Sequence, residues 1–145
     1  MVKGKILIVD NSESTRVFMR YVLVNAGFLV SAVKTAAEAR EQANDLPFDA
    51  VVTDLLTPEL DGLKLIKELR THKWYEHKPL LVVSIMKDPA MIQQGMDAGA
   101  SEWLIKPISP NKFVDRLKTL CPDKNEDDIR LDYNDDDDEE DDDKN

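Results

Sequence analysis

The chain has 145 residues, room for one domain and not two, and 42% of them are apolar, enough for a buried core. Its net charge of −10 is unevenly placed: residues 122–145 hold 14 acids and 3 bases, residues 1–121 hold 15 acids and 16 bases. The first 121 residues are therefore near neutral, which excludes a repelling acidic surface as a property of the fold.

In chain order, Lys5 and the run Ile-Leu-Ile-Val predict a buried strand over 5–9. Apolar residues at Val17, Phe18, Tyr21, Val22 and Ala26 then follow a helical period over 12–26, with Gly27 as the stop. A second strand is predicted over 28–33. Thr35 and Glu38 form a capping-box pattern that opens a helix running to Asp45, before Pro47. The third strand is predicted over 49–53, a loop with Pro58 over 54–61, and a helix over 62–71. His72 and His77 flank Trp74-Tyr75 in a stretch that reads as a polar loop, so both are expected to be solvated rather than metal ligands. A fourth strand covers 79–85. Asp88-Pro89 and Ser109-Pro110 each pair a cap with a first-turn proline. They open helices ending near Gly99 and Cys121, on either side of a short fifth strand over 102–105.

Five strand–helix units in strict alternation predict an α/β domain over residues 1–121, a doubly wound parallel sheet with helices on both faces. Past Pro122 the composition collapses to Asp, Glu and Asn, and nine consecutive acids occupy 135–143. Residues 122–145 are accordingly expected to be a disordered acidic tail. The one cysteine, Cys121, excludes an intrachain disulfide and fits a reducing compartment. No stretch approaches the ~18 apolar residues of a membrane span. The expected location is cytoplasmic, with no membrane partner.

The polar residues at the carboxyl ends of the strands converge on one edge: Asp10 and Asn11, Asp54, Ser84 and Lys106. Open parallel sheets bind ligands outside those ends. Two close carboxylates with water suit a hard divalent cation such as Mg²⁺. A cation between Asp10 and Asp54 would offset their repulsion and keep Asp54 ionised, a usable nucleophile. A hydroxyl and an ammonium opposite would bind the oxygens of an arriving phosphoryl group.

At these residues the chain resembles the response-regulator receiver domain of two-component signalling, in its stand-alone, chemotaxis-regulator-like form. The resemblance covers about residues 3–121. It rests on Ile-Leu-Ile-Val-Asp10-Asn11-Ser12, on Val-Val-Thr-Asp54-Leu-Leu-Thr-Pro58-Glu-Leu-Asp61-Gly62, on Val-Val-Ser84, and on Ala98-Gly99-Ala100-Ser101 before Trp103-Leu-Ile-Lys106-Pro107. It implies the flavodoxin-like receiver fold with strand order 2-1-3-4-5. It also implies Asp54 as the phosphorylated residue, with Ser84 and Lys106 as phosphoryl contacts. The Mg²⁺ ligands it implies are Asp10, Asp54, the Leu56 backbone carbonyl, and Asn11 through a water. Ser84 and Trp103 would form the switch, and the Lys106–Pro107 peptide would be cis. Two positions depart from the family pattern. Asn11 stands where a second acid is usual, so the pocket has one negative charge fewer. Ile85 replaces a small residue beside Ser84.

The resemblance implies a phosphoryl donor that is a histidine kinase or histidine phosphotransfer protein, and output through phosphorylation-dependent binding of another protein. It implies a signalling protein rather than an enzyme, with at most slow self-dephosphorylation. Only 24 residues follow Cys121, so no effector domain and no nucleic-acid partner are expected. A pseudo-receiver, binding without phosphorylation, is the alternative; Asn11 and Ile85 favour it, and Asp54, Ser84 and Lys106 oppose it. An aspartyl phosphatase would want a second Asp at position 56, which is Leu. Flavin binding would want a phosphate-cradling loop after the first strand, and none is present. The acidic tail is expected either to stay solvated, aiding solubility alone, or to make a weak, salt-sensitive contact with the face carrying Lys87, Lys106, Lys112, Arg116 and Lys118.

Overall fold

A computed structural model describes residues 3–55 and 62–122 of the chain. The elements are β1 (Lys5–Val9), α1 (Glu13–Asn25), β2 (Leu29–Val33), α2 (Ala36–Asp45), β3 (Ala50–Thr53), α3 (Gly62–Arg70), β4 (Leu80–Ser84), α4 (Pro89–Ala98), β5 (Glu102–Ile105) and α5 (Pro110–Leu120). The strands are parallel, as the alternation predicts, and ordered β2-β1-β3-β4-β5, the order the resemblance implies. All five strands and five helices fall where the sequence places them, with ends shifted by a residue or so. The expected tail, beyond Pro122, and the segment 56–61 lie outside the described residues.

Local chemistry explains the helix starts. Ser12, Thr35, Asp88 and Ser109 each accept a backbone N–H from the first turn of the following helix. Thr35 and Glu38 complete the reciprocal capping box. Gly27 and Gly99 take φ of +103° and +124° just past α1 and α4, where a side chain would be strained.

Successive strand residues point to opposite faces, so the sheet builds two cores. Ile6, Ile8, Ala50, Val52, Leu81, Val83 and Leu104 pack against Met19 and Leu23 of α1 and Phe113 and Leu117 of α5. Leu7, Val9, Val51, Leu80 and Val82 pack against Ala39 and Ala43 of α2 and Leu65, Ile66 and Leu69 of α3. The three central strands are buried on both sides, which is why they read as continuous apolar runs. The edge strands β2 and β5 are not, and Leu29 and Ile105 are exposed.

The stretch read as a polar loop between α3 and β4 is corrected by the structure. Tyr75 at its centre is fully buried. Its hydroxyl lies 2.9 Å from the Ala43 carbonyl, 2.6 Å from the Leu46 carbonyl and 3.1 Å from the Phe48 amide, which donates to it. His77 is exposed, as expected, but His72 is half-buried and its Nδ1 accepts the Trp74 amide at 3.0 Å. Arg70 closes the loop from the other side, donating to the carbonyls of Tyr75, Lys78 and Gly99. Burial lowers the pKa of this guanidinium.

Candidate functional site

The sheet order reverses at β1, which lies between β2 and β3. Val9 pairs with Thr53 in the register, so the next residues, Asp10 and Asp54, leave adjacent strands side by side. Their positions are fixed by the last ladder bonds: the Asp10 amide donates to Val33 O at 3.1 Å and the Asp54 amide to Val9 O at 3.3 Å. Both carboxylates are nearly buried, 2% and 6% exposed by residue. Two nearly buried carboxylates at adjacent strand ends favour a cation between them.

Lys106 supplies one. Its Nζ donates to Asp10 Oδ2 and to Asp54 Oδ2, each at 3.0 Å. Burial opposes its charge, but hydrogen bonds and charge attraction from Asp54 and Asp10 outweigh that, and its pKa lies above the ordinary lysine value. Lys106 follows β5, where its amide donates to Ser84 O at 2.8 Å, and the Lys106–Pro107 peptide is cis. The other oxygen of Asp10, Oδ1, accepts the Ser12 amide at 2.9 Å, an Asx turn that leads into α1.

Ser84 ends β4 and is fully buried. Its Oγ accepts the Met86 amide at 3.1 Å, a bond that does not use the hydroxyl hydrogen. Trp103 is half-buried on β5, and its Nε1–H donates to the Met86 carbonyl at 3.1 Å. Asn11 is half-buried directly after Asp10. The structure thus brings Asp10, Asp54 and Lys106 into contact and places Asn11 and Ser84 at the same edge. Leu56 lies outside the described residues. Among the described residues no cluster of three His, Cys, Asp or Glu side chains forms a metal site. The donors present are oxygens of two carboxylates and an amide, a set that fits a hard cation and not a soft one.

Two functional groups were not read from the sequence. Arg16, one turn into α1, donates through Nη1 to the Asp10 carbonyl at 2.7 Å and braces the β1 end. Its position four residues past the Ser12 cap could have flagged it. Met86 acts through its peptide group, which no side-chain pattern reveals. Beside the site runs an apolar groove of about 590 Å³ lined by Thr15, Phe18, Met19, Ile85, Pro107 and Ile108.

The response regulator receiver domain model matches residues 6–118. The chain belongs to the response-regulator receiver family. Protein PetR of Rhodobacter capsulatus is 34% identical over 115 residues, which are 79% of this chain and 47% of PetR. The transcriptional regulatory protein SrrA of Staphylococcus aureus is 29% identical over 119 residues, 82% of this chain and 48% of SrrA. The chain therefore spans about half the length of the curated relatives it matches. The chemotaxis response regulator CheY4 of Vibrio cholerae superposes with a TM-score of 0.77 at 29% identity, over 82% of this chain and 99% of CheY4. The receiver fold and the place of this domain in two-component signalling follow from these likenesses. No helix among the described residues is long and apolar enough to cross a membrane.

Proposed function

We propose that Asp54 accepts a phosphoryl group from a histidine kinase or a histidine phosphotransfer protein, and that the phosphorylated domain signals by binding another protein. The observation that carries this reading is the Lys106 ammonium bonded at 3.0 Å to both buried carboxylates. It offsets the repulsion between the two carboxylates and holds a cation where phosphoryl oxygens would arrive.

In the transfer, an Asp54 carboxylate oxygen attacks phosphorus. The bond from phosphorus to the donor imidazole nitrogen breaks, and its electron pair stays on that nitrogen. Lys106 and the Ser84 hydroxyl hydrogen would meet oxygens of the transferred group. Receiver domains generally bind Mg²⁺ at this acidic pocket; here Asp10, Asp54, Asn11 through a water and the Leu56 carbonyl would hold it, and it would neutralise phosphoryl charge. The apolar groove bordered by Lys106 favours a protein donor over a small one, since Phe18 and Ile85 offer it exposed apolar surface.

Incubation with acetyl phosphate or a histidine kinase, followed by intact-mass measurement, tests the reading. An added phosphoryl group that vanishes in Asp54→Asn is expected. No labelling by any donor would sink it and leave phosphorylation-independent binding, and undiminished labelling of the variant would sink the assignment to Asp54.

A further inference from the structure

Asp10 is held at each of its polar atoms, and one of those bonds comes from outside the strand ends and the site. Its amide donates to Val33 O at 3.1 Å, its Oδ1 accepts the Ser12 amide at 2.9 Å and its Oδ2 accepts Lys106 Nζ at 3.0 Å. The main-chain carbonyl has lost its ladder partner. In the parallel pairing of β1 with β2, Ile8 stands opposite Ala32. Continued by two residues, that register would have the Asp10 carbonyl accept from the Thr35 amide. That donor is engaged elsewhere. The amides of Lys34 and Thr35 both donate to Glu38 Oε1, at 2.9 and 3.2 Å, as α2 is capped. The ladder therefore ends one bond early, at a residue that is only 2% exposed. A buried carbonyl in that place needs a donor.

Arg16 supplies it, donating through Nη1 to Asp10 O at 2.7 Å. Helix geometry aims the side chain there. The Arg16 amide donates to Ser12 O at 3.0 Å in the first turn of α1. The side chain then lines a polar hollow at the end of β2, together with Val33 and Lys34. Glu38 and Glu41 line the same hollow, so the two bases there are matched by two acids.

The Asp10 carbonyl oxygen and the Asn11 nitrogen belong to one planar peptide. A guanidinium bonded to that oxygen sets the direction in which Asn11 leaves the strand. It also holds the backbone that carries the Asp10 carboxylate. Asp10 and Asn11 are the two β1-end residues that would face a cation.

We propose that Arg16 is a positioning residue of the phosphoryl-acceptor site. Through the Asp10–Asn11 peptide it orients both residues for Mg²⁺, and it acts on cation affinity rather than on the transfer step. The inference rests on the phosphoryl-acceptor reading and adds to it a residue outside the ligand set.

Mg²⁺ titration of the full chain, followed by backbone amide chemical shifts, tests it. Arg16→Met removes the donor and keeps the apolar stem. Its Mg²⁺ midpoint should weaken by about 10-fold, the lower end of the usual loss when a ligand's orienting partner is removed. Tyr75→Phe is the control for general loosening, because Tyr75 lies in the loop before β4, at the far end of the sheet. Its midpoint should equal the parent's. Labelling by acetyl phosphate should be slow in Arg16→Met at low Mg²⁺ and return to the parent rate at saturating Mg²⁺. A tighter midpoint in Arg16→Met would make the guanidinium a repelling charge and overturn the inference. So would an equal weakening in Tyr75→Phe, or labelling that stays slow at saturation. A parent chain that shows no response to Mg²⁺ would end the inference together with the metal reading. A parent that binds Mg²⁺ and an Arg16→Met variant that binds it equally well would end the inference alone.

Discussion

Ser84 and Trp103 are tied to the backbone of one residue: the Met86 amide donates to Ser84 Oγ, and the Met86 carbonyl accepts from Trp103 Nε1, both at 3.1 Å. A buried hydroxyl at the site and an indole on the β5 edge are thereby linked through the two polar atoms of a single residue. If Ser84 turns toward a phosphoryl oxygen, Met86 loses its acceptor and the indole loses a fixed anchor. Ser84→Ala should mimic the first half of that event. It should lower stability by about 0.5–1.5 kcal/mol, the usual effect of losing one part-buried hydrogen bond. In a Trp74→Phe background it should also change Trp103 emission. A denaturant midpoint and an emission spectrum both equal to the parent's would break the link.

Gly95 is buried within α4, and a Cβ built on it would lie 2.6 Å from the Trp103 ring. An exposed helical Gly→Ala change stabilises by about 1 kcal/mol. Here the overlap should reverse the sign and drive the indole outward, seen as a red-shifted emission and a lower melting temperature. Adding Trp103→Val should restore the melting temperature. A stabilised Gly95→Ala with unshifted emission would mean that the indole has room to move aside.

The Lys106 bridge has a defined pH window. Its folded pKa is raised, so its stabilisation is fully present below the unfolded lysine value of about 10.4 and is lost as pH climbs through the folded value. The urea midpoint should therefore carry a decline above about pH 10 that Lys106→Met lacks. The same variant should slow phosphoryl labelling by about 10²-fold, the scale of losing one preorganised donor. Parallel pH profiles for the two proteins would remove the bridge from the stability account.

Asn11→Asp adds a carboxylate to a pocket of two. Titration of Trp103 fluorescence with Mg²⁺ should show a tighter midpoint in that variant, since ligand charge sets affinity for hard cations. An unmoved midpoint would place position 11 outside the cation's shell.

Tyr75→Phe should cost about 1–3 kcal/mol, because the hydroxyl serves two carbonyls and one amide in a buried setting. Thermal unfolding measures it directly, and phosphoryl labelling should be unchanged.

Tyr75 also shows where sequence reading stops. Its neighbours are charged, so the stretch from His72 to Lys78 reads as solvent-facing. Only the fold reveals that the turn between α3 and β4 drops one aromatic side chain under α2. The strands and caps were legible because their signals are local: four apolar residues before Asp10, a threonine three residues before Glu38, a proline after Asp88. Asp10, Asp54, Ser84 and Lys106 were legible because parallel topology sends every strand end to the same edge. Met86 and Arg16 were not, since one works through its backbone and the other toward a backbone carbonyl.

The strand–helix alternation has one further consequence. Each capped helix begins just beyond a strand end, so α1, α2, α4 and α5 all start at the edge that holds Asp54. The amino end of a helix carries about half a positive elementary charge from its aligned peptides. The backbone itself therefore sets a standing positive potential over the place where a dianion would be created. That potential belongs to the topology rather than to any side chain, and no point substitution removes it.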